Sequence, residues 1–265
     1  MDQTLGAVSG PAIDWNRPWF APWREPGEQV LRRVADGTAL HQALNQQGGA
    51  PVQFADSSAL PAGEPYERYI FDSGNCPTRQ NLHDFFNGLC WLRLLRSKQR
   101  LNALQAGQIA TAGVGAARGP VRDAITVFDE NGALLQAPRA LWSALLARDW
   151  QRLFVDLRPL WREARVIVFG HALLEKLVLP RKEITAHVWA ADAVGNTLEE
   201  VDRWLAGQLT PARLADKPFT PLPLLGIPGW CPENQNFSFY DDSQVFRTAR
   251  RQEANTTAPH RPSRP

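Results

Sequence analysis

The chain has 265 residues, 44% of them hydrophobic and 21% charged, with ten tryptophans, which is the composition of a folded domain with a sizeable core and not of a disordered chain. The net charge of +2 is unevenly placed: five arginines and one glutamate fall between Arg247 and Pro265, leaving the preceding body net acidic and without the basic excess that nucleic acid calls for. Three widely spaced cysteines disfavour a disulfide framework or sulfur-bound zinc, and no apolar run approaches the roughly 18 residues that a membrane span needs.

In chain order, the start "MDQTLGAVSGPAIDW" has an acidic second residue and no apolar core, so a cytoplasmic protein without a secretory signal is expected. Residues 1–64 are expected to form an irregular arm and a helix packing on the core. In "WNRPWFAPW" the prolines fix φ and remove backbone donors, while Trp15, Trp19, Phe20 and Trp23 need a surface to lie on. A helix follows at "GEQVLRRVADGTALHQALNQQ", interrupted at Gly37. Residues 65–247 form the expected main domain. "PVQFADSS" is a strand candidate, and "EPYERYIFDSGNCPTRQN" is expected to lead in extended form to a helix capped by Thr78. That helix is expected to run at least to Lys98, and "QRLNALQAGQIA" continues it or supplies a second. In "RGPVRDAITVFDENGALL", the runs "AITVF" and "ALL" flank an Asn131-Gly132 pair that suits a β-hairpin turn. Then come a tryptophan-rich helical zone divided near Pro159, a buried strand "RVIVFG", a helix "HALLEKLVL", a strand "ITAHVWAAD" and a helix "NTLEEVDRWLAGQL" with an Asn or Thr cap. The expected fold is α+β or mixed α/β, a helix-rich single domain whose small sheet includes a hairpin. Residues 248–265, basic and proline-containing, are expected to be a disordered tail.

The helix after Thr78 carries the most informative pattern. At about 100° per residue, with His83 at zero, Asn87 falls at about 40°, Trp91 at about 80° and Asp84 at about 100°. Leu82, Phe85, Phe86, Leu89 and Leu92 occupy the opposite side. An imidazole, a carboxylate and a carboxamide within two turns suit a divalent metal or acid–base work; a solvated helix face is the plainer account. Arg118, Arg122 and Asp123 precede the expected hairpin, where "RGPVRD" could hold an anion. Asp129 and Glu130 read as turn residues. His171 stands where a strand gives way to a helix, a favoured ligand position in α/β folds, and His187 lies inside a strand. Asp241 and Asp242 read more readily as caps than as ligands. Cys76 and Cys90 are weak candidates for a nucleophile, having no base adjacent in sequence.

Three long segments, "PTRQNLHDFFNGLCWLRLLRSKQRLNALQ", "RGPVRDAITVFDENGALL" and "PLPLLGIPGWCPENQNFSFYDDSQVFR", resemble in that order the bacterial family called domain of unknown function 3025. The resemblance spans Tyr66 to Arg247. It implies a bacterial origin and the extent of the domain, and it brings no reaction with it. The loop around Trp230 is expected to pack on the helix of His83, because an indole in a long irregular loop needs an apolar surface.

Two functions compete on these residues. In the first, a metal-assisted hydrolase of a phosphate ester or similar small anion takes its metal ligands from His83, Asp84 and Asp123. Its catalytic set is His83, Asp84, Asn87, Arg122 and His171, with Arg122 on the anion. The cofactor is left open, with a divalent metal as the candidate. In the second, a non-enzymatic binding or assembly protein uses the same His, Asp, Asn and Arg groups as a buried hydrogen-bond network.

Overall fold

The computed structural model describes residues 8–112, 119–191 and 194–248. Arg118 and the tail beyond residue 248, both read in the sequence above, lie outside those residues. The Trp-rich arm leads into α1 (Arg24–Ala35) and α2 (Leu40–Asn45). The two helices are parted at Gly37, whose φ of +93° is a conformation that side chains rarely adopt. Trp19, Phe20 and Trp23 are at most 1% exposed and belong to the same hydrophobic core as Phe246 near the other end.

Strand β1 (Gln53–Asp56) pairs in parallel with β2 (Asn75–Thr78), and α3 (Tyr66–Ser73) lies between them in the chain. The expectation of an extended segment at Tyr66–Ser73 is therefore corrected. Tyr66, Tyr69 and Ile70 recur at helical spacing, and Gly74, at φ +69°, ends the helix. The next helix, α4 (Leu82–Arg93), is capped by Asn81 and not by Thr78. The Asn81 side chain accepts a hydrogen bond from the Asp84 amide at 2.8 Å, while Thr78 is the last residue of β2. Helix α5 (Leu95–Ala112) follows at once.

The expected hairpin at Asn131-Gly132 is not formed. Residues Pro120–Asn131 are helix α6, and strand β3 (Gly132–Gln136) begins where it ends. Pro120 in the first turn after Gly119 is a helix-start signal, and Val121, Ile125 and Phe128 recur at helical spacing. These outweigh the β-branched Ile125-Thr126-Val127 that suggested a strand. After α7 (Arg139–Ala147) and two irregular turns come β4 (Arg165–Val168), α8 (His171–Lys176), β5 (Thr185–Ala190), α9 (Leu198–Gln208), α10 (Pro211–Ala215) and β6 (Thr220–Pro223). Thr197 and Glu200 form a reciprocal capping box on α9.

The larger sheet has the order β4-β3-β5-β6, with β3 and β5 parallel and both outer strands antiparallel to their neighbours. The chain is thus a helix-rich, mixed α+β single domain. Phe128 on α6 stacks on Phe169 at 4.8 Å and on Phe219 at 5.3 Å and meets Trp189 edge-on at 5.6 Å, which fixes α6 on the sheet. Trp230 stands against Trp19 of the arm, at 5.5 Å between rings, and Trp19 leads through Phe20 to Phe86 on α4. Trp230 is thus packed on the core, and this ring chain connects it to α4. No described helix is long and apolar enough to cross a membrane.

Candidate metal centre

Helix α4 is buried on its polar side as well as its apolar one: Asp84, Asn87 and Trp91 are at most 7% exposed. Its polar stripe is therefore the wall of a cleft and not a solvated face. The cleft, of about 190 Å³, lies among α3, α4, α5, α6 and the start of α8.

His83 and His171 meet there. Their Nε2 atoms are 3.2 Å apart, with the rings edge-on. One turn of α8 meets the His83 ring at both nitrogens, because His171 and Glu175 are four residues apart and share a helix face. Glu175 Oε2 lies 3.0 Å from His83 Nδ1. His171 Nδ1 has no hydrogen bond, and Asp129 Oδ2 is 3.7 Å from it. Glu130 Oε1 lies 3.6 Å from His171 Nε2, and His83, Glu130 and His171 each offer a ligand atom within 4.8 Å of the others.

Local sequence makes this meeting feasible. Gly170 precedes α8, and its amide donates to the Gly132 carbonyl at 2.8 Å. A β-carbon on Gly170 would overlap the Glu130 carbonyl, so only glycine lets the start of α8 approach the end of α6 this closely. Cys90 donates from Sγ to the Phe169 carbonyl at 3.3 Å, tying α4 to the same corner.

The surrounding charges are arranged in pairs. Lys98 Nζ donates to Asp129 Oδ1 at 2.6 Å and lies 5.5 Å above the Trp91 ring. Burial opposes the charge on both partners, yet each holds the other ionised: Asp129 below and Lys98 above its usual range. Burial lowers the His171 pKa to about 4, so this ring is neutral at pH 7. Burial, and after it the charge of Asp129, raises Glu130 and Glu67 above the usual carboxylate range. Burial also pushes the Cys76 and Cys90 thiols to about 12, which removes the cysteine-nucleophile reading.

Of the residues nominated from sequence, His83, His171 and Asn87 come together at the cleft. Asp84 also lines it but is engaged otherwise: it accepts from the Arg79 amide at 2.7 Å and from the Arg79 guanidinium at 3.0 and 2.8 Å. Neighbouring helix residues diverge by about 100°, so His83 and Asp84 do not aim at one point. Arg122 and Asp123 sit at the start of α6 and are not among the lining residues, so neither the expected anion contact nor the third expected ligand is at the cleft. His187, on β5 opposite Gly132, is also away from it. Asp242 pairs with Lys182 at 3.0 Å and accepts from the Gln244 amide, acting as a cap, and Asp241 ends a short helical turn.

Sequence reasoning missed Glu130 and Asp129, which were read as turn residues, and Lys98, Asn102 and Gln105, which form one stripe of α5 at i, i+4 and i+7. It also missed Glu67. The stripe on α5 was visible in the sequence; its partner faces were not.

The family model described as "Protein of unknown function (DUF3025)" matches residues 52–250, and the chain belongs to that family. Neither the curated proteins nor the solved structures yield a match to it.

Proposed function

We propose that this member of the family binds one divalent transition-metal ion through His83, His171 and Glu130 and uses it to hydrolyse a small substrate held in the cleft. The observation that carries this reading is the pair of imidazole nitrogens 3.2 Å apart. A carboxylate faces the outer nitrogen of each ring, Glu175 on His83 and Asp129 on His171, and a carboxylate can only accept. Glu175 at 3.0 Å fixes the proton of His83 on Nδ1, so His83 Nε2 presents a lone pair. With the His171 proton on Nδ1, on the Asp129 side, the Nε2 lone pairs of both rings turn to one point, where a cation would be held by both. Nitrogen ligands about 2.0–2.1 Å from zinc at a tetrahedral angle stand about 3.3–3.4 Å apart, close to the spacing found here.

The flanking carboxylates are the outer partners that metal-bound histidines ordinarily have. Lys98 keeps Asp129 ionised beside His171, and the low pKa of His171 keeps its lone pair free. Three protein ligands leave a fourth position, as in catalytic zinc sites. A bound ion supplies an acidified water and a polarised substrate oxygen. A cytoplasmic setting belongs to the same reading and is supported by three unpaired thiols, two of them buried. The competing reading, a purely structural network, is favoured by the Arg79–Asp84 bonds and would join the two rings by an N–H···N hydrogen bond, but it leaves His171 Nδ1 buried beside Asp129 without a proton to offer it.

The test is metal uptake. Chelator-stripped protein titrated with cobalt(II) should bind about one equivalent with visible absorption of a low-coordinate ion. His83→Ala and His171→Ala should abolish that absorption with the helical circular dichroism retained, and Glu175→Gln should weaken uptake about 10–100-fold. Cobalt-loaded protein should hydrolyse an activated ester faster than the His171→Ala variant does. A wild type that takes up no stoichiometric metal overturns the reading.

A further inference from the structure

Beside His83 and His171, the cleft is lined by several side-chain acceptors, those of Glu67, Asn87, Asn102 and Gln105. Asn102 Nδ2 donates to the Glu67 carbonyl at 2.7 Å and to Glu67 Oε2 at 2.8 Å, so its amide protons are used and an acceptor remains. Asn87 is fixed in the same sense. The Tyr66 hydroxyl lies 3.3 Å from the Pro77 carbonyl, which can only accept, so Tyr66 spends its one proton there and receives the Asn87 amide at 3.2 Å. That leaves Asn87 Oδ1 buried with no partner, and Gln105 Oε1 is in the same state; both residues are 7% exposed. Buried acceptors in native proteins nearly always have a donor, so Asn87 Oδ1, fixed in place by the Tyr66 bond, calls for a ligand that brings donors, and the Gln105 amide, held by no hydrogen bond, is free to turn its oxygen to the same ligand.

Charge narrows the ligand further. The cations lining the cleft are both taken, Arg79 by Asp84 at 2.8 Å and Lys98 by Asp129 at 2.6 Å. An anion would meet acceptors and no unengaged cation. Of the lining carboxylates, Asp84 and Asp129 have these partners and Glu130 faces His171, its Oε1 3.6 Å from Nε2, which leaves Glu67. Among the described residues no cation lies within ion-pair distance of it. Burial, and after it the charge of Asp129, raises the Glu67 carboxyl above its usual range, as befits an acid without a counter-ion; a neutral polyol would satisfy the acceptors and leave it so, whereas a cation would draw it into its ionised form. An ammonium group brings three donors and the missing charge.

We infer that Glu67, Asn87, Asn102 and Gln105 form a subsite for a primary ammonium group, so that the substrate of the proposed hydrolase is a small amine-bearing molecule and not a phosphate ester. The cleft is small, about 190 Å³, which suits a short chain between the ammonium group and the scissile bond. The substrate assignment rests on the metal-hydrolase reading; the ammonium subsite itself does not.

The test separates the two. The full chain, as purified and again after chelation so that no amine can coordinate a metal, is titrated calorimetrically with propylammonium chloride, 1-propanol, sodium propionate and inorganic phosphate. Propylammonium should bind saturably, at least tenfold more tightly than propanol, with no binding of propionate or phosphate to the chelated chain. Glu67→Gln should weaken propylammonium at least tenfold and leave cobalt uptake unchanged. Gln105→Met, a milder change, should weaken it severalfold and covers the case in which the Glu67 variant fails to fold. Phosphate or propionate binding the chelated chain more tightly than propylammonium, equal binding of propylammonium and propanol, or indifference of both variants overturns the inference. Failure of the metal reading would show instead as absent cobalt uptake with ammonium binding intact.

Discussion

Arg158, Asn234 and Tyr240 tie the C-terminal loop to the irregular turns after α7, while His83, His171, Asn87 and Gln105 gather polar atoms at the cleft; both groups are set into one hydrophobic core. In the loop the side-chain polar atoms of Asn234 and Tyr240 are all used. Asn234, 0% exposed, donates to the Leu225 and Ile227 carbonyls at 2.8 Å and accepts from Arg158 at 3.1 Å. The Tyr240 hydroxyl donates to the Gly226 carbonyl at 2.9 Å and accepts from Arg158 at 3.1 Å. In the cleft, Asn87 Oδ1, Gln105 Oε1 and His171 Nδ1 have no hydrogen bond. A saturated network stabilises the fold and has nothing left to offer a ligand; an unsaturated one costs stability and holds that capacity in reserve.

The largest effect should come from damaging the saturated side. Asn234→Ala would strand two backbone carbonyls and one face of Arg158, and at about 1–3 kcal/mol per buried group left unpaired the loss should be about 3 kcal/mol or more. Urea denaturation reads it as a lower midpoint at constant slope, and cobalt uptake should be unaltered below the transition. A loss well under 1 kcal/mol would mean that water replaces the lost amide, and the contrast between the two clusters would collapse.

Acid should act on the cleft instead. The pKa of His171 falls from 6.5 to about 4 on folding, with burial as the main cause. A group that binds its proton less readily when folded contributes fully above pH 6.5 and loses that contribution as the pH falls toward 4. At about 1.4 kcal/mol per pK unit, the loss across that window is up to roughly 3 kcal/mol. Stability of chelated wild type measured against pH should therefore fall more steeply between 6.5 and 4 than that of His171→Gln. Parallel curves would show that folding leaves the His171 pKa unshifted, so that the ring takes up its proton near pH 6.5 as in the unfolded chain and burial does not protect its neutral form.

Half of this contrast was legible in the sequence. The stripe of His83, Asn87 and Trp91 followed from helical spacing alone, and His171 from its place after a strand. Glu130 was hidden because "AITVFDENG" carries β-branched residues and a good turn pair, and both local signals lost to a helix whose face, through Phe128, is fixed by packing against the sheet. That Arg79 would claim Asp84, and that Gly170 would let α8 close on α6, depend on approaches between distant segments that no spacing rule contains. The same limit hid where the expected anion contact would fall. "RGPVRD" has the right chemistry for an anion, but α6 carries Arg122 and Asp123 away from the cleft.

The smallest expected effect is the most discriminating. Gln105 lines the cleft from α5 with its Oε1 buried and unpartnered, and it makes no side-chain hydrogen bond among the described residues. Methionine has a similar length and helix propensity and brings no acceptor that needs satisfying. Were Gln105 part of a structural network, Gln105→Met would strand its partner and cost about 1–3 kcal/mol. If the atom is held for a ligand, the change removes an unsatisfied acceptor and should leave stability the same or raise it by about 1 kcal/mol. The comparison needs no knowledge of the natural substrate, since thermal melting of the ligand-free chain decides it. A melting temperature unchanged or raised, beside the large loss from Asn234→Ala, would establish that the two buried clusters serve different ends. A clear drop would mean that a partner for Gln105 exists, and the case for a donor-seeking cleft would then rest on Asn87 alone.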